Sequence, residues 1–385
     1  MFTNILYVIE NEFFGGGERA FAQLINGLDK GKYKVYVACL PRSSGLTPEL
    51  FVEEIQGAAQ IVPFDLRDQF NLWNIFRLIR IVKEKKIDFM HSQGARADFF
   101  VRIAAGLVKM PVVISTIATP VEEYNVNPVK KAVYVVLDRF GERFVDKFIV
   151  VAEHLMRKLT QIHKIPPHKV AKIYNGVDIE KYNYDPQIAV SVRKEMDIGP
   201  QVLLVGAVGR LTWEKGLPYF IEAAKKITDS GWQITDKVKY LIVGEGELEG
   251  NLRLKVKSLR LEEKVIFTGF RKDVREILGA IDILVVPSLR EGFPMITLEA
   301  MAMAKPIIAT NIDGITEQIT DGINGILTPP KDSSAIAQAI IRLINDRESG
   351  RKLGLAARKR VEQEFSVEKM VAETEKVYLS LPRAG

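Results

Sequence analysis

The chain has 385 residues, of which 47% are apolar and 26% charged, with a formal net charge of +6 and a single cysteine, Cys39. That length exceeds one ordinary α/β core and suits two of roughly 150–200 residues each. The composition is that of a soluble globular protein. A lone cysteine excludes an internal disulfide framework, and no apolar run reaches the roughly 18–20 residues of a membrane span.

The N-terminus, Met1 to Val8, enters a strand almost at once and lacks a basic leader and a cleavage site, so a cytoplasmic protein is expected. Strand-like runs follow at 34–40, 87–91, 112–117, 147–151 and 170–174. Helical patterns lie between them at 18–28, 72–86 and 95–108. After a looser stretch from Asn175 to Pro200, a second series of strands appears at 202–208, 238–243, 264–268, 282–286 and 306–309. Helices are predicted at 216–229, 294–304, 333–345 and 366–379. Alternation of this kind predicts two doubly wound α/β domains with parallel sheets, residues 1–175 and 176–365. Residues 1–175 hold 24 Lys+Arg against 18 Asp+Glu, whereas 176–385 hold 30 of each. The formal excess therefore lies in the first half, which suggests an anionic partner for it.

In the first half, Glu12-Phe13-Phe14-Gly15-Gly16-Gly17-Glu18-Arg19 joins the first strand to the first helix. Three glycines let backbone approach a ligand and present N–H groups to an anion, and Glu18 suits a helix N-terminus. No G-K-[ST] follows, so this is not a P-loop. Of the four histidines, His91, His154, His163 and His168, only His91 sits at a predicted strand end, where a structural role and a functional one are both open. No H-E-x-x-H, D-x-D or G-x-S-x-G occurs. Zinc, a metal-bridged sugar diphosphate and an α/β-hydrolase elbow thus lack their usual signatures.

In the second half, Gly209-Arg210-Leu211-Thr212-Trp213-Glu214-Lys215-Gly216 follows a strand and leads into a helix. Arg210 and Lys215 flank a helix N-terminus, a combination that suits a diphosphate; two solvated basic side chains are the alternative. Gly244-Glu245-Gly246-Glu247-Leu248-Glu249-Gly250 imitates a dinucleotide fingerprint, but the third glycine is one position late. Three glutamates would repel a pyrophosphate, so a tight turn is expected and an NAD(P) oxidoreductase is disfavoured. Gly269-Phe270-Arg271 borders either a nucleotide base or nothing but a turn. Finally, Asp282 to Ser288 reads as a buried strand ended by Pro287, with Glu291 in the following loop and Glu299 about a turn and a half into a helix that Pro294 opens. Both carboxylates can accept sugar or ribose hydroxyls from one ligand.

Together, Glu291-x7-Glu299, Gly209-Arg210 with Glu214-Lys215-Gly216, Asn175-Gly176-Val177-Asp178 and Gly15-Gly16-Gly17-Glu18 resemble the retaining glycosyltransferases of family 4. The resemblance covers nearly the whole chain and implies the GT-B architecture of two facing Rossmann-like domains. It further implies an acceptor-binding first domain, a nucleotide-sugar-binding second domain, and a final helix, 366–385, that packs back on the first. By motif position, Arg210 and Lys215 hold the diphosphate, Glu299 the ribose, and Glu291 the transferred sugar. Gly292, Phe293, Pro294 and Leu298 line the donor, Arg271 borders the base, and Gly16 and Gly17 face the phosphates.

The resemblance also implies retention of configuration and no cofactor or metal. The donor is expected to be a UDP-sugar, with a GDP-sugar as alternative; the acceptor is a glycan or lipid-linked saccharide, and no nucleic acid is involved. Relatives carry a histidine in a T-x-H pattern where this chain has Thr116-Ile117-Ala118, and His91 is the candidate to stand in for it. A non-catalytic binding subunit is the alternative that this departure raises. Two basic and apolar stretches, 72–86 and 128–137, are either core helices or contacts to an anionic membrane surface.

Overall fold

The computed structural model of the chain describes residues 2–11, 14–40, 46–67, 71–108, 111–123, 127–183, 185–231 and 237–382. Two compact units result: unit 1 is Met1–Gly176 with Val367–Gly385, and unit 2 is Val177–Ser366.

Among its described residues, unit 1 contains the strands β1 (Thr3–Ile9), β2 (Tyr33–Cys39), β3 (Gln60–Pro63), β4 (Phe89–Gln93), β5 (Val112–Ile117), β6 (Lys147–Val150) and β7 (Val170–Lys172). Helices α1 (Gly16–Gly27), α2 (Leu46–Glu54), α3 (Trp73–Lys85), α4 (Ala95–Leu107), α5 (Pro128–Gly141) and α6 (Glu153–Arg157) connect them. The strands pair in parallel in the order β3-β2-β1-β4-β5-β6-β7. β1 reads Thr-Asn-Ile-Leu-Tyr-Val-Ile and is buried on both faces, as a central parallel strand covered by helices must be.

Unit 2 contains α7 (Pro186–Glu195), β8 (Leu203–Val208), α8 (Leu217–Asp229), β9 (Val238–Val243), α9 (Glu249–Ser258), β10 (Val265–Gly269) and α10 (Val274–Ala280). It continues with β11 (Ile283–Val286), α11 (Met295–Ala302), β12 (Ile307–Thr310), β13 (Ile326–Thr328), α12 (Ser333–Asn345) and α13 (Arg347–Glu364). Its parallel sheet runs β10-β9-β8-β11-β12-β13. In each unit the strand order reverses once, between β1 and β4 and between β8 and β11. Such switch points open a crevice at the strands' carboxyl ends.

The last helix, α14 (Val367–Ser380), belongs to unit 1. Its Met370, Val371, Val377 and Tyr378 enter the core that holds Ile5, Tyr7, Phe21 and Phe89. Burying each side chain of this size contributes about 1.5–3 kcal/mol. Gly27 of α1 makes room for it, since a Cβ there would lie 2.5 Å from Val371 Cγ2.

Several elements depart from the sequence reading. β3 and β13 were not anticipated; both are short edge strands, and β3 is exposed at each end. The looser stretch between Asn175 and Pro200 contains α7, capped by Asp185, whose carboxylate accepts from Gln187 N at 2.9 Å. Among the described residues no helix is long and apolar enough to cross a membrane.

Candidate functional site

β8 and β11 are neighbours, so the loops that leave their carboxyl ends meet at the switch point of unit 2. The first loop closes in a short 3₁₀ turn, Trp213–Lys215, before α8 begins. Its last residue, Gly216, has φ +60°, and a Cβ there would lie 2.0 Å from the Pro287 carbonyl oxygen. Only glycine allows that backbone conformation at that approach. Leu289 N donates to the Glu214 carbonyl at 2.6 Å, which joins the loops main chain to main chain. The turn after β9 braces the same loop, because Leu211 N donates to Glu245 O and Leu248 N to Leu211 O, each at 2.9 Å. Gly244 and Gly246 of that turn are close-packing positions, where a Cβ would lie 2.0 Å from Gly209 O and 2.6 Å from Leu211 O.

Lys215 and Glu291 are brought together: Nζ lies 2.7 Å from Oε1. The same oxygen accepts from Ser288 Oγ at 2.6 Å. The pair is largely buried, with side chains 22% and 9% exposed. Arg210 is exposed on the same loop, and its side chain makes no hydrogen bond or ion pair among the described residues. Three buried polar atoms of this loop, Thr212 Oγ1, Trp213 Nε1 and Glu214 Oε2, also have no hydrogen-bond partner among the described residues. The Arg290 guanidinium covers the Trp213 ring at 4.8 Å.

Pro294 is the N-cap of α11, one position before the helix and not within its first turn. Glu299 lies in the second turn and is buried, its Oε1 accepting from Tyr182 OH at 2.9 Å. The Gly292 carbonyl runs against Gly314, where a Cβ would stand 2.1 Å from it and φ is +81°. Phe293 and Leu298, expected to line a donor, are core residues. Leu298 is fully buried, and the Phe293 ring packs edge-on against Phe365 with centroids 5.3 Å apart. Sequence reasoning missed Ser288 and Tyr182. Ser288 could have been flagged by its place directly after the strand-ending Pro287, and Tyr182 by its place just beyond the Asn175–Asp178 turn.

Arg271 is not brought to this site. It leaves the edge strand β10 and is committed to carboxylates, Asp273 at 2.7 Å through Nε and Glu195 at 3.0 Å through Nη2. Those hydrogen bonds, to Asp273 first, push its pKa further up.

In unit 1, Gly16 and Gly17 are not loop residues but the first turn of α1 at the carboxyl end of β1. Glu18 closes a capping box there by accepting from Gly15 N at 2.9 Å. Glu12 and Phe13 lie outside the described residues. The expectation that His91 stands in for a catalytic histidine is corrected. Its ring is fully buried and both nitrogens are engaged, Nδ1 with Tyr378 OH and Nε2 with Thr116 Oγ1, each at 2.7 Å. Burial pushes its pKa down to about 3. Among the described residues no group of three or more His, Cys, Asp or Glu could hold a metal ion.

Known proteins match both units. A family model described as Glycosyltransferase Family 4 matches residues 14–181, and one described as Glycosyl transferases group 1 matches residues 192–360. The UDP-Gal:alpha-D-GlcNAc-diphosphoundecaprenol alpha-1,3-galactosyltransferase of Escherichia coli is 29% identical over 80% of this chain and 79% of its own length. The capsular polysaccharide biosynthesis glycosyltransferase CapM of Staphylococcus aureus is 26% identical over 83% and 84%. The crystal structure of Anabaena HepE in complex with UDP and glucose superposes with a TM-score of 0.84 at 21% identity, covering 98% of this chain and 100% of that one. At that identity the superposition speaks to the fold, two Rossmann-like domains of the GT-B kind.

Proposed function

Because the chain belongs to glycosyltransferase family 4 and is a glycosyltransferase, we propose that its β8 and β11 loops hold a nucleotide sugar whose glycosyl group passes, with retention, to a lipid-linked saccharide or other glycan. The observation that carries this reading is the meeting of Lys215 and Glu291 at the switch point of unit 2, 2.7 Å apart. A cation for the diphosphate and a carboxylate for the sugar's hydroxyls then stand side by side, where open α/β sheets bind ligands.

Departure of the diphosphate breaks the bond from the sugar's anomeric carbon to phosphate oxygen and leaves negative charge on that oxygen. Lys215, Arg210 and the N-terminus of α8 stabilise it; one fixed donor contributes roughly 2.7–4 kcal/mol to such a step. Glu291 orients the sugar and Glu299 the ribose. The acceptor hydroxyl attacks from the face the phosphate leaves and passes its proton to the phosphate oxygen, so no protein nucleophile is needed. Two cations supply the diphosphate's counter-charge, which supports a metal-independent reaction. Gly292 lies beside the sugar, and within unit 1 the first-turn N–H groups of α1 at Gly16 and Gly17 are backbone donors for an anion.

A UDP-sugar is the favoured donor, as UDP-galactose is for the E. coli relative, whose name also specifies a lipid-diphosphate acceptor. With such an acceptor the enzyme would work from the cytoplasm, peripheral to the membrane. The surface of unit 1 supports this. On α5, Val129, Val133, Val136 and Phe140 are each at least half exposed and share one helical face, and Lys130 and Arg143 are exposed beside them. A thermal-shift screen of UDP- and GDP-sugars, followed by turnover of the stabilising donor, tests the assignment. Stabilisation by no nucleotide sugar would overturn it.

A further inference from the structure

The Asn175-Gly176-Val177-Asp178 segment has no part in the chemistry above, and its structure shows where it leads. Val177 is fully buried, bridges in parallel to Ser366, and donates its N–H to Phe365 O at 2.9 Å. Asp178 then closes a turn. Its Oδ1 accepts from Lys181 N at 2.9 Å, and its carbonyl accepts from Tyr182 N at 3.2 Å. The turn delivers the Tyr182 ring into the interior, 2% exposed, with its hydroxyl on Glu299 Oε1 at 2.9 Å. Phe365 packs on Phe293 in the loop between Glu291 and α11. The one segment is thus fastened at both ends to parts of the candidate donor site.

We propose that Tyr182 is a positioning residue for nucleotide binding: its hydroxyl fixes the rotamer of the Glu299 carboxylate so that the carboxylate meets the ribose hydroxyls. The physical need is specific. A carboxylate on a helix as apolar as Met-Ile-Thr-Leu-Glu-Ala-Met-Ala is costly to bury without a donor, and a flexible one would lose hydrogen-bonding geometry. An aromatic ring anchored in the core and carrying a hydroxyl supplies a donor that cannot swing away. This inference rests on the ribose role given to Glu299.

The test uses the full chain and four variants: Tyr182→Phe, Glu299→Gln, the double variant and Lys215→Ala. Each is titrated calorimetrically with UDP and with 2′,3′-dideoxy-UDP. Tyr182→Phe keeps the ring and the fold. It is expected to weaken UDP roughly five- to tenfold while leaving the dideoxy ligand within twofold, and to raise the donor KM with kcat little changed. The double variant should be no weaker than Glu299→Gln alone, since the tyrosine acts through that carboxylate. If Tyr182→Phe weakens both ligands equally, or neither, while Glu299→Gln selectively weakens UDP, the positioning role is overturned and the ribose role stands. If Glu299→Gln itself shows no ribose selectivity while Lys215→Ala weakens both ligands, the ribose role falls and this inference with it.

Discussion

Lys215 and Glu291 satisfy each other: the ammonium sits 2.7 Å from the carboxylate oxygen that Ser288 also engages. A diphosphate that recruits Lys215 must therefore draw it from Glu291, and a sugar hydroxyl arriving at Glu291 makes good the loss. Glu291→Ala frees the ammonium. It should cut transfer roughly a hundredfold or more, yet leave affinity for the free nucleoside diphosphate unchanged or higher. Transfer within a few-fold of the parent, or a large loss of diphosphate affinity, would contradict the division of labour between the two residues.

Arg210 differs from Lys215 in being exposed and committed to no other group among the described residues. Arg210→Ala and Lys215→Ala should each weaken a nucleoside diphosphate tenfold or so while hardly affecting the nucleoside. Calorimetry with the two ligands decides the matter, and equal losses would show that neither side chain reads phosphate. With two cations in this role, turnover should also survive EDTA. Its abolition by EDTA and recovery with Mg²⁺ would show that a metal shares the diphosphate.

Two histidines of unit 1 should give opposite pH signatures. Burial pushes His91 down to about 3, so it stays neutral in the fold while the unfolded chain takes up a proton near 6.5. Its contribution is present above that value and is lost as pH falls from about 6.5 toward 3, by up to about 1.4 kcal/mol per pH unit. For His163, burial acts to lower the pKa, but hydrogen bonds to Glu122 and Glu142 outweigh it and the net shift is upward. Nε2 lies 3.1 Å from Glu122 Oε1, while Arg139 and Lys158 also face Glu122. The stabilisation from His163 is complete below about 6.5 and is lost as pH rises through its raised value. Amide exchange in β4 and β5 against pH should show a shallower acid loss in His91→Asn and a shallower loss on the alkaline side in His163→Gln. Unchanged slopes would refute both assignments.

The apolar face of α5 predicts how the protein behaves at a bilayer. Co-sedimentation with vesicles containing anionic lipid should fall as salt rises, since charges are screened over about 8 Å at physiological ionic strength. Val133→Ser, Val136→Ser and Phe140→Ser combined should abolish it without unfolding unit 1, because all three side chains already face solvent. Equal, salt-insensitive binding to neutral vesicles, or no binding to either kind, would favour a soluble acceptor.

The alternation of strands and helices exposed the two-sheet plan because each buried parallel strand is a nearly uninterrupted apolar run. The spacing of Glu291 and Glu299 likewise placed one carboxylate in a loop and one on a helix. Periodicity could not tell which face of a helix meets the core. Glu299 is buried on α11, and α5 shows its apolar stripe to solvent where core packing was an open alternative. The side chains of Phe293 and Leu298 are in the core for the same reason: a motif position says which residues are near a ligand, not which atoms face it. For Arg271 only half of its pairing was legible: Asp273 stands two residues on, whereas Glu195 lies 76 positions away, a distance at which sequence carries no local signal.

The return of α14 to unit 1 constrains how the chain is made. Tyr378 joins Tyr7 at 2.6 Å and His91 at 2.7 Å across 371 and 287 positions, so β1 and β4 wait for a helix synthesised much later. All of unit 2 leaves the ribosome in between. Unit 2, a contiguous segment, can fold as it emerges, whereas unit 1 exposes an apolar seam along Tyr7, Phe21 and Phe89 until translation has passed Tyr378. A chain cut short before α14 therefore carries a complete unit 2 and an open, aggregation-prone unit 1, a polarity opposite to the usual N-terminal-first order of folding.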